Sequence, residues 1–293
     1  MKKVVFYCMT YKGYWVLKKF IERFTSDAIE AVIIARDKNV ENDYFDEISQ
    51  LCNENNISYF ERHQTDKIEQ IKANCLFAIS WRWLIKSDKK IIVLHDSLLP
   101  KYRGFAPLVN CLIHNEAQIG VTALFASENY DCGDIIAQKS LKITYPITIS
   151  EAIERITPLY SELVNLVAGH YFSDQEIKGS KQNDEDATYS LWRDDEDYFI
   201  HWGDSAENIK RFIDAVGYPY AGARTLLDNR EMKIKNATVV QDLQIENRDV
   251  GKVIFFNAGC PVVVCKVGLL QLDVVVDALG NLVHFNKFRI RFK

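Results

Sequence analysis

A chain of 293 residues, 48% hydrophobic and 26% charged, has room for one large domain and a smaller one and the composition of a soluble globular protein. Its formal net charge of −4 argues against a strong nucleic-acid binder, and basic residues only slightly outnumber acidic ones from Asp204 onward, well short of a basic patch. The start, Met-Lys-Lys-Val-Val-Phe-Tyr, turns polar too soon for a signal peptide or membrane span, and seven cysteines without CxxC spacing point to reduced thiols and a cytoplasmic location.

In chain order, short Val/Ile-rich runs alternate with amphipathic segments. Strands are expected at 3–9, 31–36, 58–61, 75–80 and Lys90–His95, and helices at 14–24, 44–55, 67–73 and 106–115. A strand at 119–126, an extended segment at 135–143 and a helix from a Thr148–Ser150 cap to about Tyr171 follow. The run from Ser173 to Ser190 is polar and charged and reads as a linker. Beyond it a helix at 205–216, opened by Asp204 as cap, precedes short strands broken by Gly and Asn at Arg230–Val240, 250–257, 261–267 and Leu269–Asp277. The expected fold class is α/β: a Rossmann-like wound, mostly parallel sheet with a small C-terminal antiparallel β-barrel of OB-like type. The boundaries read from this are a catalytic domain at 1–172, a linker and connecting segment at 173–203 and the barrel at 204–293. There is no internal repeat, no GxGxxG and no P-loop.

The richest segment is His95-Asp96-Ser97-Leu98-Leu99-Pro100-Lys101-Tyr102-Arg103-Gly104, which closes the apolar strand Lys90-Ile-Ile-Val-Leu94. A histidine ending a buried strand stands at the carboxyl edge of a sheet, where open α/β folds keep their sites. A second acidic loop, Tyr130-Asp131-Cys132-Gly133-Asp134, follows the strand Ile119-Gly-Val-Thr-Ala-Leu-Phe-Ala126. In order, these segments resemble the folate-dependent formyltransferase family: a His-x-Ser-Leu-Leu-Pro run, a Gly-Val-Thr strand and an Asp-x-Gly loop. That family includes methionyl-tRNA formyltransferase and the N-formyltransferases of nucleotide-linked amino sugars. Ile200-His-Trp202 and Tyr218-Pro-Tyr-Ala-Gly-Ala223 extend the resemblance toward the barrel that ends methionyl-tRNA formyltransferase.

The resemblance implies an N10-formyltetrahydrofolate-dependent N-formyltransferase without a metal, with His95 as proton acceptor and Asp131 biasing its charge and orientation. A lone histidine at a strand end is more often structural; two matched motifs in order shift the balance. The family's third catalytic residue, an asparagine two positions before the histidine, is Val93 here, which donates no hydrogen bond. Three explanations stand side by side: a variant that uses protonated His95, water or another amide; Asn110 as substitute donor; or a binder that no longer catalyses. By position, the backbone of Trp83, Leu84 and Ile85 and the loop from Ser127 to Tyr130 would hold the folate, although Trp81-Arg-Trp83 equally suits ordinary packing. On the acceptor side, Lys12 after the first strand and Tyr102, Arg103 and Gly104 on the motif loop are the candidates; an exposed lysine in that place is usually only solvated. The scattered histidines form no metal cluster, and Cys132 reads as a small residue filling a turn rather than a nucleophile.

The favoured acceptor is the amine of a nucleotide-linked amino sugar, a 4-amino-4,6-dideoxy sugar of surface glycan biosynthesis, because Asp96 and the run Lys-Tyr-Arg-Gly-Phe-Ala-Pro look most like that branch. Methionyl-tRNA is the alternative acceptor, although the acid-rich linker does not suit tRNA phosphates. A non-catalytic folate or nucleotide-sugar binder is the third reading. No membrane partner is expected, and a homodimer is common in the sugar branch.

Overall fold

The computed structural model describes residues 2–293. The elements in chain order are β1 (Val4–Cys8), α1 (Thr10–Phe24), β2 (Ile29–Ile34), α2 (Phe45–Glu54), β3 (Tyr59–Glu61), α3 (Thr65–Ile68), β4 (Cys75–Ile79), β5 (Lys90–His95), β6 (Arg103–Gly104), α4 (Pro107–Ile113), β7 (Gln118–Phe125), β8 (Ile135–Lys142), α5 (Ile149–Phe172), β9 (Tyr189–Ser190), α6 (Ala206–Ala215), β10 (Ala223–Leu227), β11 (Arg230–Val240), β12 (Val253–Asn257), β13 (Cys260–Val264) and β14 (Leu269–Asp277). They group into two compact units, one of residues 2–108, 117–143 and 152–191, the other of 109–116, 144–151 and 192–293.

In the first unit a seven-stranded sheet has the order β3-β2-β1-β4-β5-β7-β8. Pairing is parallel from β3 to β5 and antiparallel at β5–β7 and β7–β8. β1 and β4 are five-residue runs buried throughout, as strands covered on both faces must be. On one face Phe6 stacks on Phe77 and meets Phe20 of α1 edge-on at 4.9 Å, and Phe20 reaches Phe172 of α5. The other face packs Val5, Tyr7, Ala31, Ile33, Leu76 and Ile91 together, with Trp81, Ile85 and Val93 against them. Strand order reverses between β1 and β4, which opens a crevice at their carboxyl ends.

Two local expectations are corrected. The helix read at 67–73 stops at Ile68, because the amides of Lys72 and Ala73 donate to the Glu30 carboxylate at 2.7 and 2.6 Å instead of to a preceding turn. The cap of α6 is Ser205, whose hydroxyl accepts from the Asn208 amide, and not Asp204. The cap of α5 forms as read: Thr148 and Glu151 satisfy each other's amides in a capping box.

The second unit carries the antiparallel sheet β10-β11-β14-β13-β12, with α6 packed on β11 and β14. Its edges are joined through the final residues. Leu226 and Lys293 exchange two backbone hydrogen bonds beside β10, while the amides of Phe292 and Val253 bond to the carbonyls of Gly251 and Ile290 beside β12. Those bonds cover part of each outer strand and curl the sheet toward a small barrel. No helix among the described residues is long and apolar enough to cross a membrane.

Candidate active site

His95 is the last residue of β5 and follows Ile91 and Val93 on the strand's alternating face, the face lined by Trp81 and Ile85. Its side chain is 7% exposed. Nε2 lies 2.8 Å from the carbonyl oxygen of Tyr102, an acceptor only, so Nε2 carries the proton and donates it. Nδ1, the other ring nitrogen, faces Oδ1 of Asp131 at 3.4 Å. The other Asp131 oxygen accepts from the amide of Gly104 at 2.9 Å. One carboxylate thus joins the loop after β7 to the loop after β5.

The motif residues around this pair hold the loops. Thr122 is paired with His95 across β5–β7 and is fully buried. Its hydroxyl donates to the Ser97 carbonyl at 2.6 Å and accepts from the Leu99 amide and the Gln138 side chain. Ser97 in turn donates to the Lys101 carbonyl at 2.7 Å. Gly104 has φ of +101°, and a Cβ there would fall 2.6 Å from the Ser190 carbonyl oxygen; at Gly133 it would fall 1.8 Å from that of Phe125. Both positions therefore exclude a side chain.

Several sequence expectations take a different form. The Arg103 side chain is 2% exposed and donates to Gln182, Asp184 and Tyr189. Lys12 is not solvated either. It is buried, ion-paired with Asp96, and its ammonium lies 5.5 Å from the Tyr160 ring centre. Tyr102 contributes its carbonyl to His95 from a left-handed conformation, φ +59°. Asn110 belongs to the second unit, where its side-chain carbonyl accepts from Arg193 at 3.2 Å.

Of the residues expected at the folate, Trp83 meets Trp81 edge-on at 5.2 Å, Trp81 meets Tyr7 in the same way, and the Arg62 guanidinium covers Trp83 at 4.2 Å. Ile85 packs in the Val93 cluster and Leu84 projects outward. Ser127 folds back on the Asn129 carbonyl, and Tyr130 is exposed beside Phe105 at 5.8 Å. Beside these, three oxygens at the ends of adjacent strands are buried with no hydrogen-bond partner among the described residues: Thr10 Oγ1 after β1, Ser80 Oγ after β4 and Asp96 Oδ1 after β5. Buried polar atoms in that condition call for a partner, whether water or a ligand group. Among the described residues no group of His, Cys, Asp and Glu is arranged to hold a metal ion.

Residues that sequence reasoning missed come chiefly from the run read as a linker. Gln182, Thr188 and Ser190 all bond to the motif loops. The pairing of β9 with β6 fixes that segment against Arg103 and Gly104.

Residues 25–166 match the family described as "Formyl transferase", and residues 193–290 match "Formyl transferase, C-terminal domain". A methionyl-tRNA formyltransferase of Carboxydothermus hydrogenoformans is 34% identical over 162 residues, which are 55% of this chain and 51% of that protein. The chain thus spans about half the length of this curated relative. Among solved structures, WlaRD, described as a sugar 3N-formyl transferase with dTDP and 5-N-formyl-THF, superposes with a TM-score of 0.67 at 18% identity, covering 98% of this chain and 99% of its own. An N-formyltransferase of Helicobacter canadensis, in complex with folinic acid and dTDP-3-aminofucose, gives 0.67 at 18% identity over 93% of this chain and 99% of its own. At such identities the structural likeness speaks to the fold alone.

Proposed function

Because the chain belongs to the formyl transferase family, we propose that it transfers the formyl group of N10-formyltetrahydrofolate to the amine of a nucleotide-linked amino sugar. The observation that carries this reading is the setting of His95: Nε2 is committed to the Tyr102 carbonyl, and Nδ1 faces Asp131. An amine must lose a proton as it attacks a carbonyl, and Nδ1 accepts it. The Asp131 carboxylate then neutralises the charge the ring acquires, and its bond to the Gly104 amide keeps it in place.

N10-formyltetrahydrofolate, when bound, supplies the electrophilic formyl carbonyl. The residues on the His95 face suit a flat heterocycle: Trp81, Ile85 and Val93 give an apolar wall, and the backbone of Trp83 to Ile85 and of Ser127 to Tyr130 gives a donor and acceptor edge. Val93 leaves the formyl oxygen without the family's amide, and the positive charge that His95 acquires on taking the amine proton supplies part of that stabilisation electrostatically.

The acceptor reading draws on the unmatched oxygens of Thr10, Ser80 and Asp96 beside buried Lys12. Sugar hydroxyls both donate and accept, so they could pair with a hydroxyl or with a carboxylate oxygen. Methionyl-tRNA remains the second reading, favoured by the name of the curated relative.

The test is incubation with N10-formyltetrahydrofolate and a panel of UDP- and dTDP-linked amino sugars, with methionyl-tRNA alongside, following tetrahydrofolate release and product mass. A formylated sugar nucleotide is the expected outcome. Formylation of methionyl-tRNA alone overturns the sugar reading, and folate binding without turnover on any acceptor overturns catalysis.

A further inference from the structure

Gln182 lies outside both segments that match the formyl transferase descriptions, in the polar run between them. Its carboxamide nevertheless joins the two motif loops. Nε2 donates to the backbone carbonyls of Asp131 at 2.7 Å and Gly133 at 2.8 Å, and Oε1 accepts from Nε and Nη2 of Arg103 at 3.0 and 2.9 Å. The partners dictate which end is which, since a guanidinium only donates and a backbone carbonyl only accepts. Both donors and both lone pairs are thus in use.

The surroundings make this contact rigid. Arg103 is further held by Asp184 at 2.7 Å. The amides of Arg103 and Phe105 bond to the carbonyls of Thr188 and Ser190, the Thr188 amide bonds to the Pro100 carbonyl, and the Tyr102 amide bonds to the Thr188 hydroxyl. On the far side, Ser180 and Ile135 exchange two backbone hydrogen bonds of 2.8 Å. Within this frame Asp131 has φ of +56°, a left-handed conformation that a non-glycine residue keeps only when its neighbours enforce it. Nothing in the carboxylate's own contacts fixes that backbone; the carbonyls of Asp131 and Gly133 do, and Gln182 holds both.

We propose that Gln182 is a positioning residue for formyl transfer: it anchors the Asp131 loop to Arg103 so that one carboxylate reaches His95 Nδ1 and the Gly104 amide together. The proposal rests on the reading of His95 and Asp131 as the catalytic pair. It gives Arg103 a purpose too, as the buried cation that orients the carboxamide.

Gln182→Glu is the sharpest test. The new carboxylate still accepts from Arg103, so the fold keeps its anchor, but it sets an oxygen against the two carbonyls that Nε2 served. Steady-state kinetics with the formyl donor and the acceptor found for the parent enzyme should show kcat lower by about 100-fold, with both KM values within about threefold of the parent. In an Asp131→Asn background the same change should lower kcat by less than about threefold, because both act through one carboxylate. Amide exchange without substrate should quicken in peptides 100–106 and 128–135. Parental kcat in Gln182→Glu, while Asp131→Asn is slow, overturns this proposal alone, as does a loss that multiplies in full with Asp131→Asn. A parental rate in Asp131→Asn removes the catalytic pair on which the proposal stands. If Gln182→Glu does not fold, Gln182→Asn carries the same test: about tenfold lower kcat at unchanged KM supports the proposal and parental kcat overturns it.

Discussion

The carboxyl edge of the sheet has two ends that differ in how their polar groups are satisfied. At the β5–β7 end, His95, Asp131, Thr122, Ser97 and Arg103 are buried or nearly so, and each has its partners within the protein. At the β1–β4 end, Thr10 and Ser80 bury hydroxyl oxygens with no partner among the described residues, and Asp96, next to His95 after β5, leaves one carboxylate oxygen in the same condition. A buried hydroxyl left unpaired costs stability, so the second end is less stable than it need be while the first is assembled in advance. The contrast separates two tasks. Proton transfer needs groups fixed before the substrate arrives, whereas recognition needs groups whose hydrogen bonds the substrate completes.

The largest expected effect lies at the assembled end. His95→Gln keeps a side-chain amide able to donate to the Tyr102 carbonyl but removes the base, so kcat should fall by about a thousandfold while formyl-folate affinity stays within about threefold. Single-turnover rates and titration of the folate check the two halves separately. Parental kcat would remove the assembled end from the chemistry altogether.

Next in size is the ion pair that ties the two ends together. Lys12→Met leaves the Asp96 carboxylate buried without its cation and should lower stability by about 3–5 kcal/mol in urea unfolding. The double variant with Asp96→Asn should recover most of that loss, because the uncompensated charge is gone. A single variant as stable as the parent would mean that Asp96 finds water easily and that this end is open rather than buried.

Smaller still, and opposite in sign for stability, are Ser80→Ala and Thr10→Val. Each removes a buried oxygen that has no partner and should raise the unfolding free energy by about 0.5–1 kcal/mol. Each should also raise the acceptor KM by about tenfold, with the folate KM unchanged. Loss of stability in either variant would show that the hydroxyl is satisfied in the absence of acceptor, and the contrast between the two ends would fail.

The parts of this arrangement that were legible in the sequence are those with a local signal. The strands of the wound sheet announce themselves as short apolar runs of five or six residues, and His95 and Asp131 stand in motifs. What was hidden depends on partners distant in sequence. Gln182 sits among Lys, Asn, Asp and Glu, a composition that reads as solvated chain until its bonds to Asp131 and Arg103 are seen. Lys12 and Arg103 were read as acceptor-side candidates from their place in the chain, and both are buried against carboxylates or an amide far along the chain. The end of α3 is set by Glu30, and barrel closure by a few C-terminal residues too short to carry a pattern.

Cys132 offers the smallest effect and a strict control on where the chemistry resides. It is next to Asp131, its thiol donates to the Tyr130 carbonyl at 3.2 Å, and it is half-buried, as is Cys260. The other five cysteines are buried; burial pushes the thiols of Cys52, Cys75 and Cys265 up to about 12, and that of Cys8 rises well above its ordinary value for the same reason. Alkylation requires the thiolate, so at pH 8 these four stay protonated and inert. Mass spectrometry after brief iodoacetamide treatment should find label on Cys132 and Cys260 and little elsewhere. Cys132→Ala should keep kcat within about threefold, since transfer to an amine by way of His95 needs no thiol nucleophile. If alkylation slows turnover in the parent but not in Cys132→Ala, the added bulk is displacing the Asp131 loop, and the assembled end of the edge is the part that feels it. A large loss in Cys132→Ala itself would instead make the thiol a participant, and the proton-transfer role assigned to His95 would have to be rewritten around it.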